Sequence, residues 1–170
     1  MIKIDKDWSL FLDRDGVINR KLEDDYVKTI KEFDFLLGVR QAIVSFKKVF
    51  KRIVIVTNQQ GVGKKLMTEQ DLEKIHSFML SRLHQEEVLI DKIYFCPDLA
   101  TQNSINRKPN IGMALQAQKD FPEIDFEKSV MIGDSLSDME FGRNAGMTTI
   151  FINPVRKRMS TAVDHECNSL

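Results

Sequence analysis

Short apolar runs alternate along the chain with longer segments in which apolar residues recur at helical spacing. The short runs are residues 9–12, 52–56, 92–95, 130–132 and 148–152. Their largely continuous apolar character is typical of strands that are buried on both faces. Strands that alternate with helices form βαβ units, so the pattern predicts a parallel sheet covered by helices.

Several longer segments have the spacing of amphipathic helices. The first has its apolar stripe at Val39, Ala42, Ile43, Phe46 and Phe50. The second has it at Leu72, Ile75, Phe78, Met79 and Leu83. Residues 68–71, Thr-Glu-Gln-Asp, resemble a capping box, so this helix is predicted to begin just after Thr68. Shorter helices are predicted at 112–120 and at 135–145, and Gly146 is suited to end the latter.

This order of elements predicts a doubly wound, Rossmann-like parallel sheet in a three-layer α/β/α arrangement. The two long connections span residues 13–52 and 57–92. Once its helix is subtracted, neither has room for a second domain, so we expect a single domain over residues 1–170 with no cap domain. Residues 153–170 are mostly polar and are predicted to form a loose C-terminal tail.

Composition and charge narrow the range of partners. Of the 170 residues, 42% are hydrophobic, which is enough for a sizeable buried core. Lys+Arg and Asp+Glu both number 25, so no overall basic field exists to hold a nucleic acid or an anionic membrane. We see no apolar core of a signal peptide and no run as long as a membrane span. Two widely spaced cysteines, Cys96 and Cys167, suit a reducing compartment, and we expect a cytoplasmic protein.

Polar residues capable of chemistry follow four of the predicted strands. They are Asp13 and Asp15 after the first strand, Thr57, Asn58 and Gln59 after the second, Arg107 and Lys108 after the third, and Asp134 and Asp138 after the fourth. In doubly wound sheets, ligands bind beyond the carboxyl ends of the strands. We therefore expect these side chains to converge on one site.

The converging residue types fit the chemistry of a phosphate ester. Asp13, Asp15 and Asp134 would repel one another unless a cation offset their charge, and Mg²⁺ prefers carboxylates, waters and phosphate oxygens as ligands. One carboxylate can attack phosphorus to form an aspartyl-phosphate, while a second protonates the leaving alkoxide and later activates water. Thr57 and Lys108 would hold the phosphoryl oxygens in the transition state.

Four motifs resemble those of the haloacid dehalogenase-like (HAD) hydrolases in order and spacing. They are DRDGV at 13–17, TNQ at 57–59, RKP at 107–109 and GDSLSD at 133–138. The resemblance implies an HAD-like fold in which Asp13 is the nucleophile and Asp15 the general acid and base. It implies one Mg²⁺, held by Asp13, the backbone carbonyl of Asp15 and Asp134, with Asp138 in support. The predicted phosphate or substrate contacts are Thr57, Asn58, Gln59, Arg107 and Lys108.

The closer similarity is to the capless branch of these hydrolases, which acts on heptose bisphosphates and histidinol phosphate. It extends to FLDRDGVIN at 11–19, DYVKTIKEFDFLLGV at 25–39 and YFCP at 94–97. That branch usually has a zinc loop, but here Cys96 keeps only the first ligand position. Asp98, Ser104 and Asn106 occupy the other three. Because one thiolate cannot make a tetrahedral zinc site, we expect no zinc and a loop organised by hydrogen bonds.

Each motif also has an ordinary interpretation when taken alone. Asp13 and Asp15 fit a solvated turn, and the acids of GDSLSD could cap a helix. GVGKK at 61–65 lacks the full phosphate-loop pattern, although its lysines could still contact a second phosphate. His76 and His84 have no partner at metal-ligand spacing and are interpreted as structural or surface residues.

Together the motifs predict a Mg²⁺-dependent phosphomonoesterase that acts on a small phosphorylated metabolite. The resemblance points to a sugar phosphate such as heptose 1,7-bisphosphate, with histidinol phosphate as the nearest alternative. A polynucleotide 3'-phosphatase is disfavoured because the net charge is zero. A phospho-accepting receiver-type signalling domain would carry similar acids, threonine and lysine. Asp15 argues against it, because a base beside the nucleophile hydrolyses the phosphoaspartate that a switch must retain.

Overall fold

Six parallel strands form one sheet in the computed structural model, which describes residues 4–153 and 162–170. The strands are β1 Ser9–Leu12, β2 Arg52–Asn58, β3 Lys92–Cys96, β4 Ser129–Gly133, β5 Thr148–Ile152 and β6 His165–Cys167. They lie in the order β3-β2-β1-β4-β5-β6. The direction of winding reverses between β1 and β4, which is where a ligand is expected in such a sheet.

Helices cover both faces of this sheet. Within the described residues they are α1 Val39–Lys47, α2 Gln60–Gly63, α3 Glu69–His84, α4 Gly112–Asp120 and α5 Leu136–Ala145. Ile43 of α1 and Ile75 of α3 share one core with Leu10 of β1, whereas Phe141 of α5 shares the other with Phe11. Neighbouring residues of β1 thus reach opposite cores, as expected for a strand buried on both faces. None of the described helices is both long and apolar enough to cross a bilayer.

The predicted doubly wound, three-layer fold is confirmed, and the predicted strands end within two residues of the observed ones. The capping box of α3 is present, because Thr68 Oγ1 accepts from the Asp71 N–H and Asp71 Oδ2 accepts from the Thr68 N–H, both at 3.1 Å. α5 follows its cap residue Ser135 and ends at Gly146, whose φ of 87° lies in the left-handed region.

Among the strands and α-helices given above, two were not predicted. The first, α2, is a single turn and is too short for a periodic pattern. The second, β6, lies in the predicted loose tail, so that prediction is wrong for residues 165–167, which pair with β5. β6 has no apolar run; just before it, the Asp164 carboxylate accepts from the backbone N–H and the hydroxyl of Thr149 at 2.9 and 3.0 Å. Residues 154–161 of the same tail lie outside the described residues.

The turn after β1 places acids from two strands side by side. The Asp13 N–H donates to the Ile132 carbonyl at 3.0 Å, which continues the pairing of β1 with β4. Gly16 follows with a φ of 92°, and a Cβ at this position would lie 2.2 Å from Asp134 Oδ2. A glycine is therefore required both for the turn and for the close approach of Asp134.

Candidate active site

A cavity of about 230 Å³ opens at the carboxyl ends of β1, β2 and β4. Its lining includes Asp13, Asp15, Thr57, Asn58, Arg107, Lys108, Asp134 and Asp138. All predicted site residues except Gln59 therefore meet here. A larger groove of about 570 Å³ lies between α3 and β3, but it lacks this convergence of strand-end acids and lysine.

Lys108 is buried between two of the acids. Its Nζ lies 2.7 Å from Asp13 Oδ1 and 2.6 Å from Asp138 Oδ1, and it donates to the Val56 carbonyl at 2.7 Å. Burial alone would lower the pKa of Lys108, but the charges of Asp13 and Asp138 outweigh it and raise that pKa. Lys108 is thus a fixed positive charge in the site.

Asp13 experiences an excess of negative charge. Its pKa is raised to about 7, mainly by burial and in spite of the opposing charge of Lys108. The charges of Asp138, Asp134 and Asp15 contribute to the same increase. A carboxyl group in this setting is stabilised in its ionised form by an additional cation.

The acids fit a magnesium ion. Asp13, Asp134 and Asp138 each have one carboxylate oxygen within 4.8 Å of those of the other two. Lys21 Nζ contacts Asp134 Oδ2 at 2.8 Å, whereas Asp134 Oδ1 is buried with no hydrogen-bond partner. Leaving a carboxylate oxygen buried and unpaired is costly. Converging hard oxygen ligands, one of them unsatisfied, match the preferences of Mg²⁺.

Asp138 serves the helix and the site at once. Its Oδ2 accepts from the Ser135 N–H at 3.1 Å and from the Ser135 hydroxyl at 2.6 Å, which caps α5. Its Oδ1 contacts Lys108. The helix-cap interpretation is therefore correct for Asp138, but it does not exclude a place for this residue in the acid cluster.

The Asp15 carboxylate lies outside this cluster and is held by three side chains. Arg14 Nη2 donates to both of its oxygens at 2.9 Å, Asn19 Nδ2 to Oδ1 at 2.9 Å, and Gln59 Nε2 to Oδ2 at 2.7 Å. Burial would raise the pKa of Asp15, but Arg14 and the hydrogen bonds outweigh it and lower the pKa. The backbone carbonyl of Asp15 as a metal ligand stays a prediction.

Arg14 connects this carboxylate to His76 of α3. Arg14 is fully buried, and its Nη1 contacts His76 Nε2 at 3.1 Å. Burial, and then the charge of Arg14, lower the pKa of His76 to about 3, so the ring is neutral at pH 7. Because a guanidinium can only donate, Nε2 accepts and the ring proton lies on Nδ1. His76 is thus a buried hydrogen-bond acceptor.

His76 is expected to make the fold sensitive to acid. Its pKa is about 3 in the fold and about 6.5 in the unfolded chain. Because the folded value is the lower one, the stabilisation is complete above pH 6.5 and is lost as the pH falls toward 3. From pH 7.5 to pH 5 the wild type should lose about 2 kcal/mol more stability than His76→Gln, as measured by urea unfolding. His84→Gln, at an exposed position of the same helix, is the control. Equal losses in the wild type and His76→Gln would contradict the prediction.

Thr57 and Asn58 line the cavity, whereas Gln59 turns away from it. Thr57 Oγ1 accepts from Gln59 Nε2 at 2.9 Å. Asn58 pairs with the backbone of Lys108, donating to its carbonyl at 3.1 Å and accepting from its N–H at 3.0 Å. Asn58 therefore ties β2 to the loop that carries Lys108. Phosphate contacts from these three residues stay predictions.

Hydrogen bonds organise the loop after β3, as the sequence analysis predicted. Cys96 Sγ lies 3.5 Å from Asp98 Oδ2 and 3.8 Å from Ser104 Oγ, and the Asn106 N–H donates to Ser104 Oγ at 3.3 Å. Arg107 Nη1 donates to the Asp98 carbonyl at 3.1 Å. Cys96, Asp98, Ser104 and Asn106 are therefore neighbours, and the Asp98 carbonyl accepts a hydrogen bond from Arg107, which lines the cavity.

Several residues around the site were not predicted from the sequence. Lys21 and Tyr26 line the cavity, while Arg14 and Asn19 hold Asp15. Arg14 had a usable signal, because an arginine between two acids after a buried strand is a candidate partner for them. Lys21 and Tyr26 belong to the long connection between β1 and β2, and no local pattern in the sequence indicates that they line the cavity.

The site is suited to the hydrolysis of phosphate esters. It combines acids, a buried lysine and a threonine at the switch point of a parallel sheet. The HAD-hydrolase-like family profile matches residues 105–155. A D-glycero-alpha-D-manno-heptose-1,7-bisphosphate 7-phosphatase of Mycobacterium bovis is 42% identical over 137 residues, which are 81% of this chain and 72% of that protein. The chain belongs to the HAD-like hydrolases and is a Mg²⁺-dependent phosphoric monoester hydrolase.

Two further relatives support this assignment. A D-glycero-beta-D-manno-heptose-1,7-bisphosphate 7-phosphatase of Salmonella typhi is 37% identical over 174 residues, covering 95% of this chain and 90% of that protein. The crystal structure of D,D-heptose 1,7-bisphosphate phosphatase from B. bronchiseptica, complexed with magnesium and phosphate, matches with a TM-score of 0.86. That match has 26% identity and covers 95% of this chain and 93% of the other.

Proposed function

We propose that this phosphatase acts on a sugar bisphosphate and removes the 7-phosphate of heptose 1,7-bisphosphate. The observation that carries the proposal is the position of Lys108 Nζ, 2.7 Å from Asp13 and 2.6 Å from Asp138 in a cavity rich in acids. A phosphoryl group transferred to Asp13 would lie beside this fixed charge. The choice of substrate is supported by the names of the Mycobacterium bovis and Salmonella typhi relatives.

In the proposed reaction, a carboxylate oxygen of Asp13 bonds to phosphorus as the bond to the sugar oxygen breaks, and Asp15, protonated in the substrate complex, gives its proton to that oxygen. A bound phosphate ester places negative charge near Asp15, which favours its protonated form and opposes the effect of Arg14 on its pKa. Asp15 then takes a proton from water, whose oxygen attacks phosphorus, and the bond to Asp13 breaks to release inorganic phosphate. Lys108 and Thr57 hold the phosphoryl oxygens. Asp13, Asp134 and the Asp15 backbone carbonyl would hold Mg²⁺, which would offset negative charge on the acids and the phosphate.

The remaining predicted residues have supporting roles in this proposal. Arg107 lines the cavity and supplies a positive charge to the part of the substrate beyond the transferred phosphate. Asn58 orients Lys108 through the backbone, and Gln59 orients Asp15. Asp138 holds Lys108 in place.

A phosphate-release screen tests the substrate. Both anomers of heptose 1,7-bisphosphate, heptose 7-phosphate, histidinol phosphate, nucleotides and a 3'-phosphorylated oligonucleotide are compared by kcat/KM at one Mg²⁺ concentration. We expect one anomer of the bisphosphate to give the highest value, with release of one phosphate. The relatives differ in the anomer that their names specify, so the screen includes both. A higher kcat/KM for histidinol phosphate or the oligonucleotide would contradict the proposed substrate.

The same screen separates an enzyme from a signalling domain. A receiver-type domain would take up one phosphate per chain and retain it. The Asp15 carboxylate lines the cavity with Asp13, which supports rapid hydrolysis of the phosphoaspartate. Release of many phosphates per chain is therefore expected.

We also propose that residues 1–170 form one cytoplasmic domain that uses small-molecule substrates. Cys96 and Cys167 are unpaired, which fits a reducing compartment. The net charge of zero offers no attraction to nucleic acid or to an anionic membrane. Fractionation of cells that produce the untagged protein would test this location.

A further inference from the structure

A network of buried side chains holds Asp15, and its members Arg14 and His76 do not line the cavity. Arg14 is at its centre. Nη2 donates to both Asp15 oxygens at 2.9 Å and to Gln59 Oε1 at 3.2 Å, while Nη1 donates to His76 Nε2 at 3.1 Å. Arg14 Nε is buried without a hydrogen-bond partner.

We propose that His76 is a positioning residue of the phosphatase reaction. By accepting a hydrogen bond from Arg14 it fixes the plane of the guanidinium, and the guanidinium in turn fixes the Asp15 carboxylate at the cavity wall. The inference rests on the proposed role of Asp15 as general acid and base. His76 acts through Arg14 and does not touch the substrate.

The shape of the guanidinium makes the Asp15 contact depend on His76. The group is planar and its N–H bonds point in fixed directions, so the partner of Nη1 determines where Nη2 points. Without an acceptor at position 76, Nη1 would be buried and unpaired beside Nε, which already lacks a partner. Unpaired donors of a buried charged group are costly. Arg14 would then rotate toward another acceptor and release Asp15.

The imidazole is itself held in place. His76 lies on the buried face of α3 with Leu72 and Met79, and its ring is 6.0 Å from the ring of Phe95 in an edge-on arrangement. An apolar side chain would suit this stripe, so packing alone does not require a histidine. The hydrogen bond to Arg14 gives a reason for a histidine at this position, whereas packing does not.

Three variants test the proposal with p-nitrophenyl phosphate as the substrate. His76→Leu removes the acceptor and keeps similar bulk, His76→Gln retains an acceptor, and His84→Leu is a control at an exposed position of the same helix. We expect His76→Leu to lower kcat about ten- to hundredfold and to change KM by no more than about twofold. His76→Gln should recover most of kcat, and His84→Leu should match the wild type.

A double-mutant comparison distinguishes positioning from a general defect. If His76 acts through Asp15, His76→Leu should cause no further loss of kcat in an Asp15→Asn background. A general structural defect would lower residual activity in both backgrounds. p-Nitrophenolate leaves without protonation, so hydrolysis of the aspartyl-phosphate should limit turnover. Acid quenching should therefore trap more aspartyl-phosphate in His76→Leu than in the wild type.

Wild-type kcat in His76→Leu would overturn the proposal, and so would equal losses in the two backgrounds. If His76→Leu fails to fold, Arg14→Lys gives a second test, because it keeps the positive charge and removes the planar guanidinium. It should show the same loss of kcat, and wild-type turnover would again refute the idea. Full activity of Asp15→Asn would instead contradict the proposed function of Asp15, which is a separate result.

Discussion

Replacing Asp13 with asparagine is expected to abolish turnover, with kcat lower by about 10⁴-fold or more. The amide nitrogen cannot attack phosphorus as a carboxylate oxygen does, and no covalent intermediate can form. Initial rates of phosphate release from p-nitrophenyl phosphate, measured at micromolar enzyme concentrations, would quantify any residual activity.

The Asp13→Asn variant should keep its fold. Asparagine has almost the same shape, and Lys108 retains its contacts with Asp138 and the Val56 carbonyl. Burial is the main cause that raises the pKa of Asp13 to about 7, so the site disfavours a negative charge at this position, and asparagine carries none. Near-wild-type circular dichroism and melting temperature are therefore expected.

Asp34→Asn is the matched control for this substitution. Asp34 is exposed and pairs with Arg20 at 3.0 Å, and exposed ion pairs contribute little to stability. We expect wild-type kcat in the control. Substantial activity in Asp13→Asn, free of reversion to aspartate by mass spectrometry, would refute the assignment of the nucleophile.

The location of the site was predictable because it depends on backbone topology. Residues that follow parallel strands lie at one edge of the sheet, whatever the packing of individual side chains. Asp13, Thr57 and Asp134 could thus be grouped from strand ends alone, whereas Lys108 lies at the end of the long loop that follows β3. The spacing of apolar runs gave those strand ends within two residues.

The direction in which each side chain points was not predictable in the same way. Gln59 stands in the same motif as Thr57, but its amide bonds to Asp15 and Thr57 and it does not line the cavity. Arg14 and His76 are 62 residues apart, and their contact exists only because α3 packs against the end of β1. Such pairings depend on three-dimensional packing, which a local pattern does not contain.

The cluster of Asp13, Asp134 and Asp138 predicts that turnover depends on magnesium. Removal of divalent cations with EDTA is expected to lower kcat by about 10³-fold or more, and added Mg²⁺ should restore it. Without the ion, Asp13, Asp134 and Asp138 offer more negative charge than Lys108 and Lys21 balance. A phosphate ester would add further negative charge to the same cavity.

Thermal unfolding gives a readout of magnesium binding that is independent of activity. Because Asp134 Oδ1 is buried without a hydrogen-bond partner, bound Mg²⁺ should raise the melting temperature. At a Mg²⁺ concentration 100 times the dissociation constant, the free energy of unfolding should increase by about 2.7 kcal/mol. Asp134→Asn should reduce this shift strongly, and Asp34→Asn should leave it intact. Full turnover in EDTA would contradict the magnesium requirement.

A zinc-selective chelator should change neither turnover nor the melting temperature, because the loop that contains Cys96, Asp98 and Ser104 is held together by hydrogen bonds. Unfolding of the protein in the presence of that chelator would show the inference that no zinc is bound to be wrong.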